Sequence, residues 1–183
     1  MANNCFYDMK ITGRKENIKE LIQMLKWEDK YENNGIGRVF SCYDSNIEEI
    51  CGDIGYTLVF GDCAWSVNSA MMEHAGREHG LESETGRLDL IVEVYSSEPG
   101  IGFQEHILIN KGIVEINDCM DYEEHYVEDY ETIEEYNAEY GTNFTEDMVD
   151  ENGDVCVGGF GDDYGDFQDF DAVDFNYKKG EQT

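Results

Sequence analysis

Apolar and polar positions alternate from residue 5 to residue 13 ("CFYDMKITG"), with Phe6 and the Met9/Ile11 pair set between polar residues, and the run stops at a glycine. That period of two predicts a strand. In "ENIKELIQMLKW" the spacing changes, and Ile18, Leu21, Ile22 and Leu25 fall on one helical face, so an amphipathic helix ending near Trp27 is expected. "YENNGIG" reads as a loop, "RVFSCY" as a short strand and residues 56–65 as a stronger one. Ser66 is a plausible N-cap and Gly80 a plausible terminating glycine, so residues 66–80 are predicted to form a second helix. Three strands follow at 88–95, 101–109 and 111–117, joined by "EPG" and by a tight "NKG" hairpin. Strand, helix, strand, helix and then a meander give an α+β fold: a ferredoxin-like antiparallel sheet with helices on one face.

Beyond residue 120 the pattern changes again. Tyr126, Tyr130, Ile133, Tyr136 and Tyr140 recur at steps of three or four before Gly141, which predicts a helix with one aromatic stripe. Its other face would carry Glu128, Asp129, Glu131, Glu134, Glu135 and Glu139. After the glycine-rich "CVGGFG" comes "GDDYGDFQDFDAVDF", which interleaves six aspartates with aromatic rings and holds no lysine or arginine. Tyr164, Phe167, Phe170, Phe175 and Tyr177 are expected to anchor this tail while its aspartates face outward, as an edge strand or a turn-rich hook. The organisation read from the sequence is an α+β domain over 1–120 and an acidic, tyrosine-rich segment over 121–183 packed on it.

Charge sharpens that division. The chain of 183 residues is 40% hydrophobic and 13% aromatic, too apolar for general disorder, yet its formal net charge is −30. Residues 1–30 hold six basic and five acidic side chains, 31–120 hold four and sixteen, and 121–183 hold two and twenty-one. Halophilic adaptation would spread acid more evenly, so the gradient reads as a scaffold bearing an acidic functional surface. A field of this sign repels nucleic acid and steers association with basic partners, so little direct nucleic-acid binding is expected in isolation. Lys10, Arg14, Lys15, Lys19, Lys26 and Lys30 form the one basic cluster, read as an offset to the protein's own acid. The six cysteines fit no zinc spacing and read as reduced, mostly buried thiols. With no leader-like opening and no run approaching the roughly 18 apolar residues of a membrane span, a cytoplasmic protein without a membrane partner is expected.

Candidate chemistry is sparse. "DENGD" sets Asp150, Asn152 and Asp154 at the first, third and fifth positions of an EF-hand-like loop, but Val155 and Gly161 stand where that loop needs glycine and glutamate. His74 and His79 are five apart, so no H-E-x-x-H motif exists, and no nucleophile elbow or phosphate loop is present. No catalytic residue, metal site or cofactor is assigned, and a non-enzymatic protein is expected.

The acid itself is the strongest signal. Thirteen helical residues from Glu128 to Tyr140 would span about 20 Å, and one DNA strand carries roughly six phosphates over that length, matching the six acids there. Phosphate mimicry is therefore expected from Asp121, Glu123, Glu124 and the helical acids named above, together with Asp162, Asp163, Asp166, Asp169, Asp171 and Asp174. Tyr130, Tyr136, Tyr164 and Phe167 are expected to stack on guanidinium planes of the partner.

A resemblance adds a setting. "NNCFYDMKITG" is similar to the N-x-C-x-N-x-L-x-I-x-G opening of the YubB-type ferredoxin-like domain family of phage and plasmid proteins. "VEVYSSEPGIGFQEHILINKG" resembles that family's closing hairpin, with Glu-x-Gly, an aromatic and a final Asn-x-Gly. The chain departs from the family at Asn4 and Tyr7, where Trp and Asn are usual, and lacks its Trp/Pro-rich middle, Pro99 being the one proline; the likeness covers roughly residues 1–120. It implies a mobile-element origin and supplies no catalytic residues. With the acidic extension, the chain looks like a phage-encoded anti-CRISPR protein, an acidic DNA mimic against a guide-loaded type II effector nuclease. The alternative is an immunity or partner protein neutralising one basic toxin or restriction enzyme.

Overall fold

Alternation governs the first strand. In β1 (Asn4–Arg14) Cys5, Tyr7, Met9 and Ile11 are buried on one face, while Phe6, Asp8 and Lys10 point to the other. The computed structural model describes residues 4–26, 35–72 and 79–175. α1 (Lys15–Leu25) lays Ile18, Leu21, Ile22 and Leu25 against the face bearing Met9 and Ile11; Trp27, its expected end, lies outside the described residues. β2 (Val39–Asp44), β3 (Glu48–Cys51) and β4 (Ile54–Ala64) follow, then the short α2 (Val67–Ala70), α3 (Leu81–Leu88), β5 (Ile91–Glu98), β6 (Phe103–Asn110) and β7 (Ile113–His125). The chain continues through α4 (Ile133–Tyr140) and β8 (Val155–Gly158).

Among the described residues the eight strands pair antiparallel in the order β2-β4-β1-β5-β6-β7-β8, with β3 also on β4. α1, α2 and α3 cover one face through Leu21, Leu25, Val67, Met71, Leu81 and Leu88, making an α+β fold with one main core. Lys111 (φ 50°) and Gly112 (φ 88°) close the predicted hairpin between Asn110 and Ile113 as a two-residue turn of the primed type.

Three sequence expectations need correction. Gly80 is not the end of a helix: it is the extended N-cap of α3, its N–H bonded to Ser83 Oγ at 3.1 Å, and the helical residues 67–70 are a separate short turn. Residues 73–78, including His74, lie outside the described residues. The strand expected at 88–95 therefore begins later, at Ile91, after Asp89 has ended α3 in a left-handed conformation (φ 52°).

The helix expected over 126–140 is the largest correction. β7 runs on to His125, because its last four residues leave β6 and pair with β8 from Tyr122↔Gly158 to His125↔Val155. Val127, Tyr136 and Val155 then form a satellite core with Tyr130, Ile133, Phe144 and Val149. The helix starts only at Ile133, where the Thr132 hydroxyl accepts from the Glu135 N–H, and Gly141 (φ 71°) ends it. Glu128, Asp129 and Glu131 are thus outside the helix, and a strand-edge contact has overridden the tyrosine period.

Close backbone approach makes Gly61 a sensitive position. A Cβ there would collide with the Ser41 carbonyl oxygen and with the Tyr7 hydroxyl, which donates to that same oxygen at 2.9 Å. Gly61→Ala should push β2 off β4 and cost about 1–3 kcal/mol, read as a fall in Tm with the low-temperature circular dichroism unchanged.

Candidate acidic interface

The sheet face opposite α1–α3 carries charge that must be covered. Lys10 on β1 and Glu93 on β5 are register partners, and both are buried. The covering element is the chain from Phe160 to Phe175, which crosses this face as a strap without strand structure. At its centre the backbone of Gln168 is gripped through both its N–H and its carbonyl. Its N–H donates to Glu93 Oε2 at 2.7 Å, and its carbonyl accepts from Lys10 Nζ at 2.8 Å. Glu93 Oε1 lies 2.8 Å from His106 Nε2, and Lys10 also reaches Asp169 Oδ1 at 2.7 Å. Two buried charges lacking such partners would be costly, so the strap and the sheet charges stabilise each other.

Rings fix the strap on either side of the clamp. Tyr95 stacks on His106 (4.2 Å, 5°) and is met by Phe160, Tyr164 and Phe167 at 5.4–5.9 Å. The Phe160 N–H donates to Gln104 Oε1 at 2.8 Å. Further along, Phe175 is buried against Ile54, Ile91 and Leu108, with Phe170 packed beside them. Lys111 holds the end, donating to the Asp174 carbonyl at 2.5 Å and lying over the Phe175 ring. Tyr177 lies outside the described residues.

The aspartates face the other way. Asp162, Asp163, Asp166, Asp169, Asp171 and Asp174 are all exposed, while Tyr164, Phe167 and Phe170 are half-buried beneath them. Asp121 and Glu123 are exposed on β7, where they border an open groove of about 470 Å³ with Tyr122, Val157 and Gly158. Glu124 is half-buried and accepts from the Tyr126 hydroxyl at 2.8 Å. Glu134, Glu135 and Glu139 are exposed on α4; Glu128, Asp129 and Glu131 are exposed in the turn before it. From residue 121 to 175 there are twenty acids and no lysine or arginine. Among the described residues only Asp169, with Lys10, and Glu123, 3.7 Å from His125, meet a basic group.

The aromatics expected to meet a partner are instead engaged internally. Tyr136 is buried, 2.9 Å from His125 Nδ1, and stacks on Tyr140. Tyr130 donates to the Tyr140 hydroxyl, and Tyr164 and Phe167 are committed to Tyr95. The basic cluster is dispersed: Arg14 pairs with Asp53, Lys15 with Glu49 and Lys26 with Asp44, and Lys30 lies outside the described residues. Of the cysteines only Cys5 and Cys63 are buried; Cys42 and Cys51 are half-buried, and Cys119 and Cys156 are exposed, which corrects the expectation of mostly buried thiols.

The "DENGD" loop uses its first carboxylate on itself. Asp150 Oδ1 accepts from the Asn152 and Asp154 N–H groups at 2.8 and 3.0 Å. Among the described residues no three His, Cys, Asp or Glu side chains form a group suited to a metal ion. No helix among them is long and apolar enough to cross a membrane. Sequence reasoning passed over Glu93, Tyr95, His106 and Gln104, the residues that seat the strap. The available signal was a charged residue inside the apolar run "LIVEVY". No family model, curated protein or solved structure matches the chain.

Burial pushes Tyr95 up to about 12, with Glu93, Asp166 and Asp163 adding to the effect, and burial likewise pushes Tyr164 up to about 12. Both rings stay neutral while unfolded tyrosines ionise, so their contribution is complete below pH 10 and is lost as pH rises toward 12. Near-UV circular dichroism should therefore report loss of the strap in that window, and Tyr95→Phe should remove the share due to Tyr95. Lys10→Met removes hydrogen bonds worth roughly 1.5–3 kcal/mol for a charged donor. It should accelerate exchange of the Gln168 and Phe160 amides by about tenfold or more, with α1 amides unaffected.

Proposed function

We propose that the protein is a binding protein whose carboxylates take the place of nucleic-acid phosphates in the basic channel of a nucleic-acid-binding protein. The observation that carries this reading is ordered, uncompensated acid. Twenty carboxylates lie between residues 121 and 175 with no lysine or arginine, and six of them stand on the strap whose backbone the Gln168 clamp holds. A loose polyanion loses affinity to ordering on binding, whereas a seated one is preorganised. Charge density, and not the helical spacing of residues 128–140, supports the mimicry. Three of the buried acids are engaged structurally, which favours binding over acid–base catalysis at them. Glu84 holds His79 and Arg87, Glu93 holds His106 and Gln168, and Glu105 accepts from Ser96 and from the Val67 N–H.

The finer setting follows the sequence resemblance. β1-α1-β2 and β4-α2/α3-β5, with β4 and β1 paired at the centre, form a βαββαβ succession that supports a ferredoxin-like reading of this half of the sheet. The likeness to YubB-type proteins favours a phage or plasmid product acting in the host cytoplasm. The channel of a guide-loaded type II CRISPR nuclease, which holds nucleic acid through its backbone, is a target of suitable charge.

Titrating the protein into such a nuclease at two salt concentrations, with DNA cleavage and gel shift read together, tests the reading. Both activities should be suppressed, less so at high salt. A variant carrying lysine at Asp162, Asp163, Asp166 and Asp171 should unfold at an unchanged temperature and no longer inhibit. Full inhibition by that folded variant overturns the mimicry. Arrested cleavage with DNA still bound moves the block to a later step.

A further inference from the structure

The strap covers only part of the open face. On the β1–β4–β2 side four large side chains remain bare: Phe6 is 55% exposed, Tyr43 59%, Leu58 43% and Phe60 52%. They form one patch. Tyr43 is the register partner of Phe60 and stacks on it at 5.5 Å, Phe60 is opposite Asp8, and Leu58 sits two residues along the same strand. The sheet beneath is not frayed, since Tyr7, Met9 and Val59 on its other face are at most 1% exposed. Contiguous bare aromatics on an ordered sheet mark an interaction surface.

The charge around the patch selects the occupant. Asp8 opposes Phe60 and Asp62 opposes Phe6, and neither pairs with a basic group among the described residues. Asp8 is also the register partner of Tyr95, whose hydroxyl donates to the Asp166 carbonyl, so the strap acids adjoin the patch. Bases could stack on such rings, but phosphates would meet these carboxylates and a net charge of −30. An anionic lipid surface is opposed in the same way, and so is a second copy of the chain. A guanidinium, by contrast, stacks on aromatic faces and bonds carboxylates.

We infer that Phe6, Tyr43, Leu58 and Phe60 form the anchoring site for a basic protein segment that presents an apolar side chain between arginines or lysines. This rests on the acidic-mimic reading for the sign of the partner's charge and adds the place where affinity is concentrated. Buried aromatic anchors surrounded by near-neutral contacts carry most of the energy of protein interfaces. The acids would then steer and orient the partner, while the patch holds it.

The test uses the full chain with labelled phenylalanine and tyrosine rings and three blocked peptides: Arg-Arg-Leu-Arg-Arg, the same with serine for leucine, and the same with glutamate for arginine. The leucine peptide should shift the Phe6, Tyr43 and Phe60 resonances. The serine peptide should shift only the strap, and the glutamate peptide neither. Phe60→Thr and, on the edge strand, Tyr43→Thr should each weaken the leucine peptide by about tenfold and leave the strap response unchanged. Absence of a patch response, an equal response to the serine peptide, or shifts that follow protein concentration without peptide would each overturn the inference, the last assigning the patch to a second copy. A strap response without a patch response removes this site and leaves the acidic reading standing. A patch response beside an unaffected nuclease retains this site and removes that target.

Discussion

Two side chains hold the backbone of one residue, and much of the molecule depends on that grip. Lys10 and Glu93 sit side by side on adjacent strands, in the middle of a face that would otherwise be open. Left bare, they would be an ordinary cross-strand ion pair of modest worth. Covered, they need hydrogen bonds to offset lost hydration, and the Gln168 N–H and carbonyl supply them. The strap thus completes the sheet, and the sheet fixes the strap's direction: Phe160 and Phe167 fall on one side of the clamp toward Tyr95, Phe170 and Phe175 on the other toward Ile54 and Leu108.

This arrangement addresses a conflict set by composition. A chain of net charge −30 repels itself when compact, and the repulsion is greatest where residues 121–175 gather without a lysine or arginine. Ring burial supplies the opposing force. Phe175 is buried beside Ile91, and Tyr136 and Val155 are buried in the satellite core under α4, so each acidic stretch has its own apolar footing. Among the described residues the basic side chains of the N-terminal third do not form a counter-patch. They are spread over separate ion pairs with Asp53, Glu49 and Asp44 on neighbouring loops and strands.

What was legible in the sequence was local. β1, α1 and the Lys111-Gly112 hairpin follow from alternation, helical spacing and turn chemistry within a few residues of one another. α3 escaped because eight residues carry too little periodicity, and because Gly80, extended at its N-cap, looks in sequence like a terminator. The tyrosine stripe misled because Tyr126 and Tyr130 keep a helical interval while β8, some thirty residues on, claims the preceding segment as a strand. Within the candidate interface the outward aspartates and inward rings could be read from their interleaving. Their seat could not, since Lys10 and Gln168 are 158 residues apart. Nor could the bare patch, because Phe6, Tyr43 and Phe60 are apolar residues in strands and look like core until the strap is seen to stop short of them.

The manner of attachment also determines what the acids are free to do. Had the strap been held through its carboxylates, each anchoring contact would have removed a charge from the surface. It is held instead by backbone groups and rings: the Gln168 N–H and carbonyl, the Phe160 N–H, the Asp174 carbonyl, and the rings of Tyr164, Phe167 and Phe175. Among the described residues only Asp169 of its six aspartates meets a cation, and that carboxylate is itself fully exposed. Order and charge are therefore supplied by different atoms of the same residues. The entropy of arranging the anions is lost once, during folding, and the proposed binding to a basic surface would draw on that order.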